Sequence, residues 1–272
     1  MSNTPKLNLC IPSTGHEEDW RRLYEAAFPA DERMSLSEVQ SMLDSNRLLL
    51  HRTLDDAGNL LSFSIVTPMS NFALLAYIAT DQTRRSSGVG SKHMRELISI
   101  IRTRFPQNLG LFLEIESTTE VGLSLDEKVI RQRRLSFYEK LGAKRLIGKD
   151  YLLPSYLPGT PPRQGELLWF EHTPTSGEAQ VQDKHLGPVI CEIYTRGYGV
   201  SPGSEQLARV MKQFPDLDLA TCNQFPVTEP KKPEPETQTQ PEQKTPSENE
   251  TILRRLTRWF TSLCERLFKT RK

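Results

Sequence analysis

The stretch FALLAYIATDQTRRSSGVG, residues 72–90, joins a nearly continuous apolar run to a polar turn holding two glycines one residue apart. An apolar run without alternation is the pattern of a strand buried on both faces. Behind it, from Gly88 to Arg104, Val89, Met94, Leu97, Ile98 and Ile101 recur at helical spacing, and Phe105-Pro106 stops the pattern. The unit is strand, turn, helix. Such a turn presents successive backbone N–H groups at the positive end of a helix, which suits a diphosphate. Gly88 and Gly90 admit phosphate oxygens to the main chain, Ser87 and Ser91 add hydroxyl donors, and Arg84 or Arg85 adds charge. Taken alone, a G-x-G at this place equally describes an ordinary tight turn at a helix start.

Upstream, Thr14 or Ser13 can cap a helix through HEEDWRRLYEAAF, where Trp20, Leu23, Tyr24, Ala27 and Phe28 fall on one stripe and Pro29 ends it. A second helix is expected from Ser35 to about Ser45, with Leu36, Val39, Met42 and Leu43 apolar and Glu38 near its start. Arg47 to Leu54 and Leu60 to Thr67 are β-rich runs around DDAGN, a hairpin turn in which Gly58 and Asn59 tolerate positive φ. Downstream, Leu111 to Ile115 is a strand, and RQRRLSFYEKLGAKRL, residues 131–146, is a basic helix closed at Gly142 with a strand behind it. The order αα-βββ-α-β-α-β gives an α/β class built on a mixed sheet. Past the Pro-rich LPSYLPGTPP lie a last strand, GELLWFEH, and short helical patterns at Val189 to Tyr198 and Glu205 to Phe214.

The segment Arg85 to Gly90 resembles the R/Q-x-x-G-x-G/A pyrophosphate loop of the GNAT acetyltransferases, and SFYEKLGAKRL, residues 136–146, resembles that family's second signature, LYEKLGF. Order and spacing agree, and FPADERMSL, residues 28–36, is similar to the family's connection between its first two helices. The resemblance covers about residues 10–175. It implies a mixed sheet, flanked by helices and splayed between its fourth and fifth strands, with acetyl-CoA as co-substrate in the gap. Pantetheine would then lie against Ile78, Ala79 and Thr80, and pyrophosphate on Arg85, Ser86, Ser87, Gly88, Val89, Gly90 and Ser91.

For Tyr138 the resemblance implies a phenol that protonates or hydrogen-bonds the leaving thiolate, although Phe137-Tyr138 on a helix equally reads as plain core. For the base that takes the amine proton, Glu116 at the strand end is the first choice and Glu114 the second; a solvated strand-end carboxylate is the other account of Glu116. Arg131 and Arg134 stand where many family members have Asn and Ala. With Arg133 they make a basic face that grips coenzyme phosphates, binds an acidic acceptor, or is simply solvated. The insert from Thr118 to Val129 is longer than usual. The expected function is an acetyl-CoA-dependent N-acetyltransferase acting on a primary amine. The alternative is a catalytically inactive binding or scaffold module of the same descent.

Composition bounds the rest. The 35 Lys plus Arg against 34 Asp plus Glu in 272 residues give a net charge of +1, and nucleic acid is not expected as a partner. No Lys-Ser/Thr follows the glycines, so a nucleotide P-loop is excluded. Four scattered cysteines and five histidines without ligand spacing point to reduced thiols and no metal. No leader or spanning run is visible, which reads as cytoplasmic. The acetyltransferase-like domain is placed at 1–175, a helical extension at 176–225, and a disordered Pro/Glu/Gln-rich tether at 226–250. Residues 251–272 then form an amphipathic helix. Ile252, Leu256, Trp259, Phe260, Leu263 and Leu267 share its apolar face, and five arginines and two lysines oppose one glutamate. That pattern fits peripheral docking on an anionic membrane, with a partner groove or the chain's own domain as the other options.

Overall fold

The computed structural model describes residues 17–30, 32–155, 160–172, 181–214 and residue 222. The expected cap at Ser13 or Thr14, the 175/176 boundary, the tether and the C-terminal helix all lie outside the described residues. Two helices open the fold, α1 (Glu17–Ala27) and α2 (Leu36–Asp44). Ser35 caps α2 in a reciprocal box with Glu38, satisfying N–H groups that the first turn leaves open. Three antiparallel strands follow, β1 (Leu49–Leu54), β2 (Leu60–Pro68) and β3 (Ala73–Thr80). Helix α3 (Val89–Arg104) crosses over to β4 (Gly110–Glu116), which pairs parallel with β3.

The second half departs from expectation in two places. Helix α4 runs Leu125–Lys140, beginning six residues before the basic stretch, because Ser124 and Glu127 form a second capping box inside what reads as a loop insert. After the two-residue β5 (Lys144–Arg145), an unforeseen three-residue strand β6 (Tyr151–Leu153) pairs with β7 (Arg163–Glu171). Strand β7 lies antiparallel to β4, giving a seven-stranded mixed sheet in the order β1-β2-β3-β4-β7-β5, with β6 also on β7. Helix α5 (Asp183–Glu192), a π-helical turn (Ile193–Gly197) and α6 (Glu205–Met211) complete it.

Alternate residues of the central strands feed opposite cores, which is why their sequence is largely apolar on both faces. Leu74, Phe112, Leu167 and Trp169 pack under α5, the π turn and α6. Ala73, Leu75, Leu111 and Leu113 pack against Met94, Leu97 and Ile101 of α3 and Leu135 and Tyr138 of α4. A third cluster, with Trp20, Tyr24, Val39, Phe63 and Ile65, seats α1 and α2 on β1–β3. The expectation of reduced thiols is corrected at Cys191 and Cys222. They form a disulfide with Cα atoms 5.2 Å apart at a sequence separation of 31, a proximity created by packing that spacing alone does not reveal. Among the described residues no helix is long and apolar enough to cross a membrane.

Candidate active site

Strands β3 and β4 stay paired for only three steps, Ala73↔Leu111, Leu74↔Phe112 and Leu75↔Leu113. Beyond Leu75 they part. The β2 register jumps there from Val66↔Leu75 to Ile65↔Tyr77, leaving Ala76 as an extra residue that bends β3 away from β4. The family-implied splay is thus present, but between the third and fourth of the described strands. Ile78, Ala79 and Thr80 line the β3 lip and still pair with Ser64, Phe63 and Ser62 of β2.

At the end of that lip, Asp81 caps a short 3-10 turn (Gln82–Arg84) through Thr83 N–H at 2.8 Å, and Ser87 Oγ donates to the Arg84 carbonyl. Ser86 and Gly88 both take left-handed backbone, φ 62° and 84°, and Gly88 is the N-cap of α3 with no side-chain cap. A backbone that dips into this region twice makes the kind of concavity that holds anions. A Cβ built on Gly88 meets nothing within 4 Å, so the space before the helix end is open. Gly90 has a different role. Its Cβ would stand 3.3 Å from Thr80 Oγ1 and 3.8 Å from Phe137 Cζ, so the first turn of α3 needs glycine to seat against β3 and α4.

Arg85 is half-buried, and among the described residues it has no ion pair, only a long bond from Nε to the Thr80 carbonyl at 3.4 Å. Burial pulls its pKa down against the opposing charge of Asp81. A cation held this way beside uncapped helix N–H groups suits an anionic ligand, so the residues fit a pyrophosphate.

Across the gap, Glu114 is half-buried at the cavity wall, its two oxygens accepting from Tyr151 Oη at 2.6 Å and Tyr198 Oη at 2.9 Å. Burial pushes its pKa up to about 7, against the lowering effect of the two phenols. Glu116 instead forms an ion pair with Arg134. The two carboxylates thus differ in surroundings: Glu114 is held by two phenols with its pKa raised, and the strand-end Glu116 is clamped by a guanidinium. On the basic face of α4, Arg131 is half-buried while Arg133 and Arg134 stay exposed. Arg131 donates to the Ser117 carbonyl at 2.8 Å and pairs with Glu120 at 2.5 Å, so it and Arg134 tie α4 to the end of β4.

A cavity of about 210 Å³ opens beside the gap, with Leu75, Tyr77, Glu114 and Glu116 on the strand side and Phe28, Met34 and Leu153 opposite. Tyr138 does not line it. That phenol is buried among Leu113, Ile115, Met94 and Leu135, its ring edge-on to Phe137 with centroids 5.1 Å apart, and burial raises its pKa against the pull of Arg134. The structure thus gathers Ile78–Thr80, Arg85–Ser91 and the two glutamates around one gap and leaves Tyr138 in the core beneath it. Sequence reasoning missed Tyr151 and Tyr198. Nothing in the local sequence marks them, since their value comes from strand pairing and a π turn that bring them to Glu114 from 37 and 84 residues away.

No family model matches the chain, and no curated protein matches it in sequence. Among solved structures it is similar to a Bacteroides thetaiotaomicron protein described as a GNAT-family acetyltransferase, at 20% identity and TM-score 0.55, covering 68% of this chain and 93% of that one. It is also similar to the aminoglycoside 6'-N-acetyltransferase of Enterococcus faecium, at 18% identity and TM-score 0.43, covering 58% and 91% of the two chains. A spermidine N-acetyltransferase variant from Vibrio cholerae matches at 11% identity and TM-score 0.46, covering 61% and 96%.

Proposed function

We propose that this chain, whose fold is that of the GNAT N-acetyltransferases, transfers an acetyl group from acetyl-CoA to a primary amine, with Glu114 as the base. The observation that carries this is a half-buried carboxyl whose pKa is raised to about 7 at the point where two parallel strands separate beside an uncapped helix end. When bound, acetyl-CoA supplies the thioester: its C–S bond breaks as the N–C bond forms, and the thiol leaves with a proton. The chain's own residues do the rest. Arg85 and the N–H groups from Ser86 to Ser91 hold the diphosphate, and the β3 lip at Ile78, Ala79 and Thr80 offers main-chain groups to the pantetheine arm. Glu114, held in place by Tyr151 and Tyr198, takes the proton that the attacking nitrogen must lose. Tyr138 is retained as the donor toward the leaving sulfur from the α4 side, resting on its motif position beside Phe137 and Leu113.

Binding is tested first. Saturating acetyl-CoA should raise the melting temperature of the full chain by mass action, and calorimetry should show one site. Gly88→Ala puts a methyl into the open space before α3, at a strain cost of about 1–2 kcal/mol from its positive φ. It should weaken acetyl-CoA binding while the apo protein stays folded. A folded protein whose melting temperature ignores acetyl-CoA would refute the assignment.

A further inference from the structure

The cavity beside Glu114 carries three glutamates, Glu32, Glu114 and Glu116, and three arginines, Arg134, Arg163 and Arg196. The arginines are occupied. Arg163 reaches Glu32 across the pocket at 2.6 Å, Arg134 pairs with Glu116, and Arg196 pairs with Glu192, which is buried and also accepts from Ser70. Among the described residues Glu114 alone of the three glutamates has no arginine beside it; two phenols hold it instead. Most of the remaining wall is apolar, with Phe28, Met34, Met42, Leu74, Ala76 and Leu153.

We propose that the acceptor is a compact monoamine with an apolar body, its one amino group at Glu114 and its carbon skeleton against Phe28, Met34, Met42 and Leu153. This rests on the acetyl-transfer reading above and names the substrate class of the same site. The argument is charge and size. Among the described residues, an acceptor ammonium entering the pocket meets one carboxylate without an arginine, Glu114, to receive both its charge and its proton. A second ammonium on the same molecule would meet only carboxylates that arginines already neutralise, among the described residues, and so gains no ion pair for the water it gives up. An acceptor carboxylate fares no better, because the guanidinium groups already have partners. The volume agrees: a dry apolar cavity of about 150 Å³ takes benzene, so the 210 Å³ here takes a ring or short chain plus a two-carbon arm.

The test uses the full chain, following coenzyme A thiol release with hexylamine, 2-phenylethylamine, putrescine, spermidine and a trialanine peptide, while calorimetry measures acetyl-CoA affinity separately. The expected result is kcat/KM for the two apolar monoamines about a hundredfold or more above putrescine. Arg163→Ala, which releases Glu32 to meet a second ammonium, should shift the ratio toward putrescine by about tenfold. Preference for putrescine, spermidine or the peptide overturns the monoamine assignment, as does failure to turn over either monoamine by a chain that binds acetyl-CoA. A chain that binds no acetyl-CoA overturns the transfer reading and the assignment with it.

Discussion

Glu114 and Glu116 are two residues apart on one strand, yet their surroundings assign them different work. Glu114, half-buried at the cavity wall, loses much of its water and is held by phenolic donors, so its proton is held up to about pH 7; Glu116 faces a guanidinium that holds it in one place. The rate should accordingly rise with pH through a midpoint near 7, as Glu114 deprotonates into the form that accepts a proton. Glu114→Gln should lower kcat by about a hundredfold or more and remove that limb, while acetyl-CoA affinity stays within a few-fold. Glu116→Gln should keep the limb. Tyr138→Phe separates core packing from chemistry: a loss of turnover of about tenfold or more at unchanged melting temperature marks the hydroxyl as a donor. An unchanged rate leaves Tyr138 as the core residue its burial describes.

At the scale of elements, α4 shows what the sequence discloses and what it conceals. Its last two turns carry the SFYEKLG signature and pack Leu135 and Tyr138 into the core, whereas its first turns leave Leu125 and Val129 exposed. With no apolar stripe there, periodicity reports a loop, although Ser124 and Glu127 already spell a capping box. Ser124→Ala should cost about 1 kcal/mol in denaturant unfolding and leave acetyl-CoA affinity unchanged, because Phe137 beside Gly90 lies three turns away. Strand β3 was legible from its nearly continuous apolar run, β1 and β2 from β-rich runs around a hairpin turn, and the glycine turn from its own residues. Strand β6 was not, since three residues before a proline carry no periodicity. The difference in surroundings between Glu114 and Glu116 was not legible either, because it depends on Tyr151 and Tyr198 arriving from elements distant in the chain. Cys191 and Cys222 were hidden for the same reason.

At the scale of the whole molecule, two groups pull the acid stability in opposite directions. His93, on α3, is fully buried with Nδ1 2.8 Å from Thr53 Oγ1, stacked on His51 of β1 at 4.6 Å; Glu96 lies 3.9 Å from His51 and 3.9 Å from Lys92. Burial lowers the His93 pKa from 6.5 to about 3, and His51 moves the same way. The stability that neutral His93 contributes is present above pH 6.5 and lost as pH falls toward 3. Glu114 runs the other way: its raised pKa contributes stability that is full below 4.5 and lost as pH rises through 7. The two trends oppose each other between about 6.5 and 4.5. Urea midpoints of the parent should therefore change little over that window and drop below it. Those of Glu114→Gln, which lacks the carboxyl, should begin to fall already near pH 6.5, with a difference of about 3 kcal/mol by pH 4.5. Parallel curves for the two proteins would show that Glu114 is not the titrating group.

The three-step seam between β3 and β4 has a thermodynamic consequence. Past Leu75 and Leu113 the two lips of the sheet have no ladder between them, so their main-chain amides and carbonyls there are solvated when nothing lies in the gap. A chain of amides entering the gap trades those solvent bonds for equivalent ones, an exchange with little net enthalpy. The favourable part of its binding comes from water released off the partly exposed Ile78 and off the apolar atoms of the entering arm, whose signature is a negative heat-capacity change that grows with the apolar area covered.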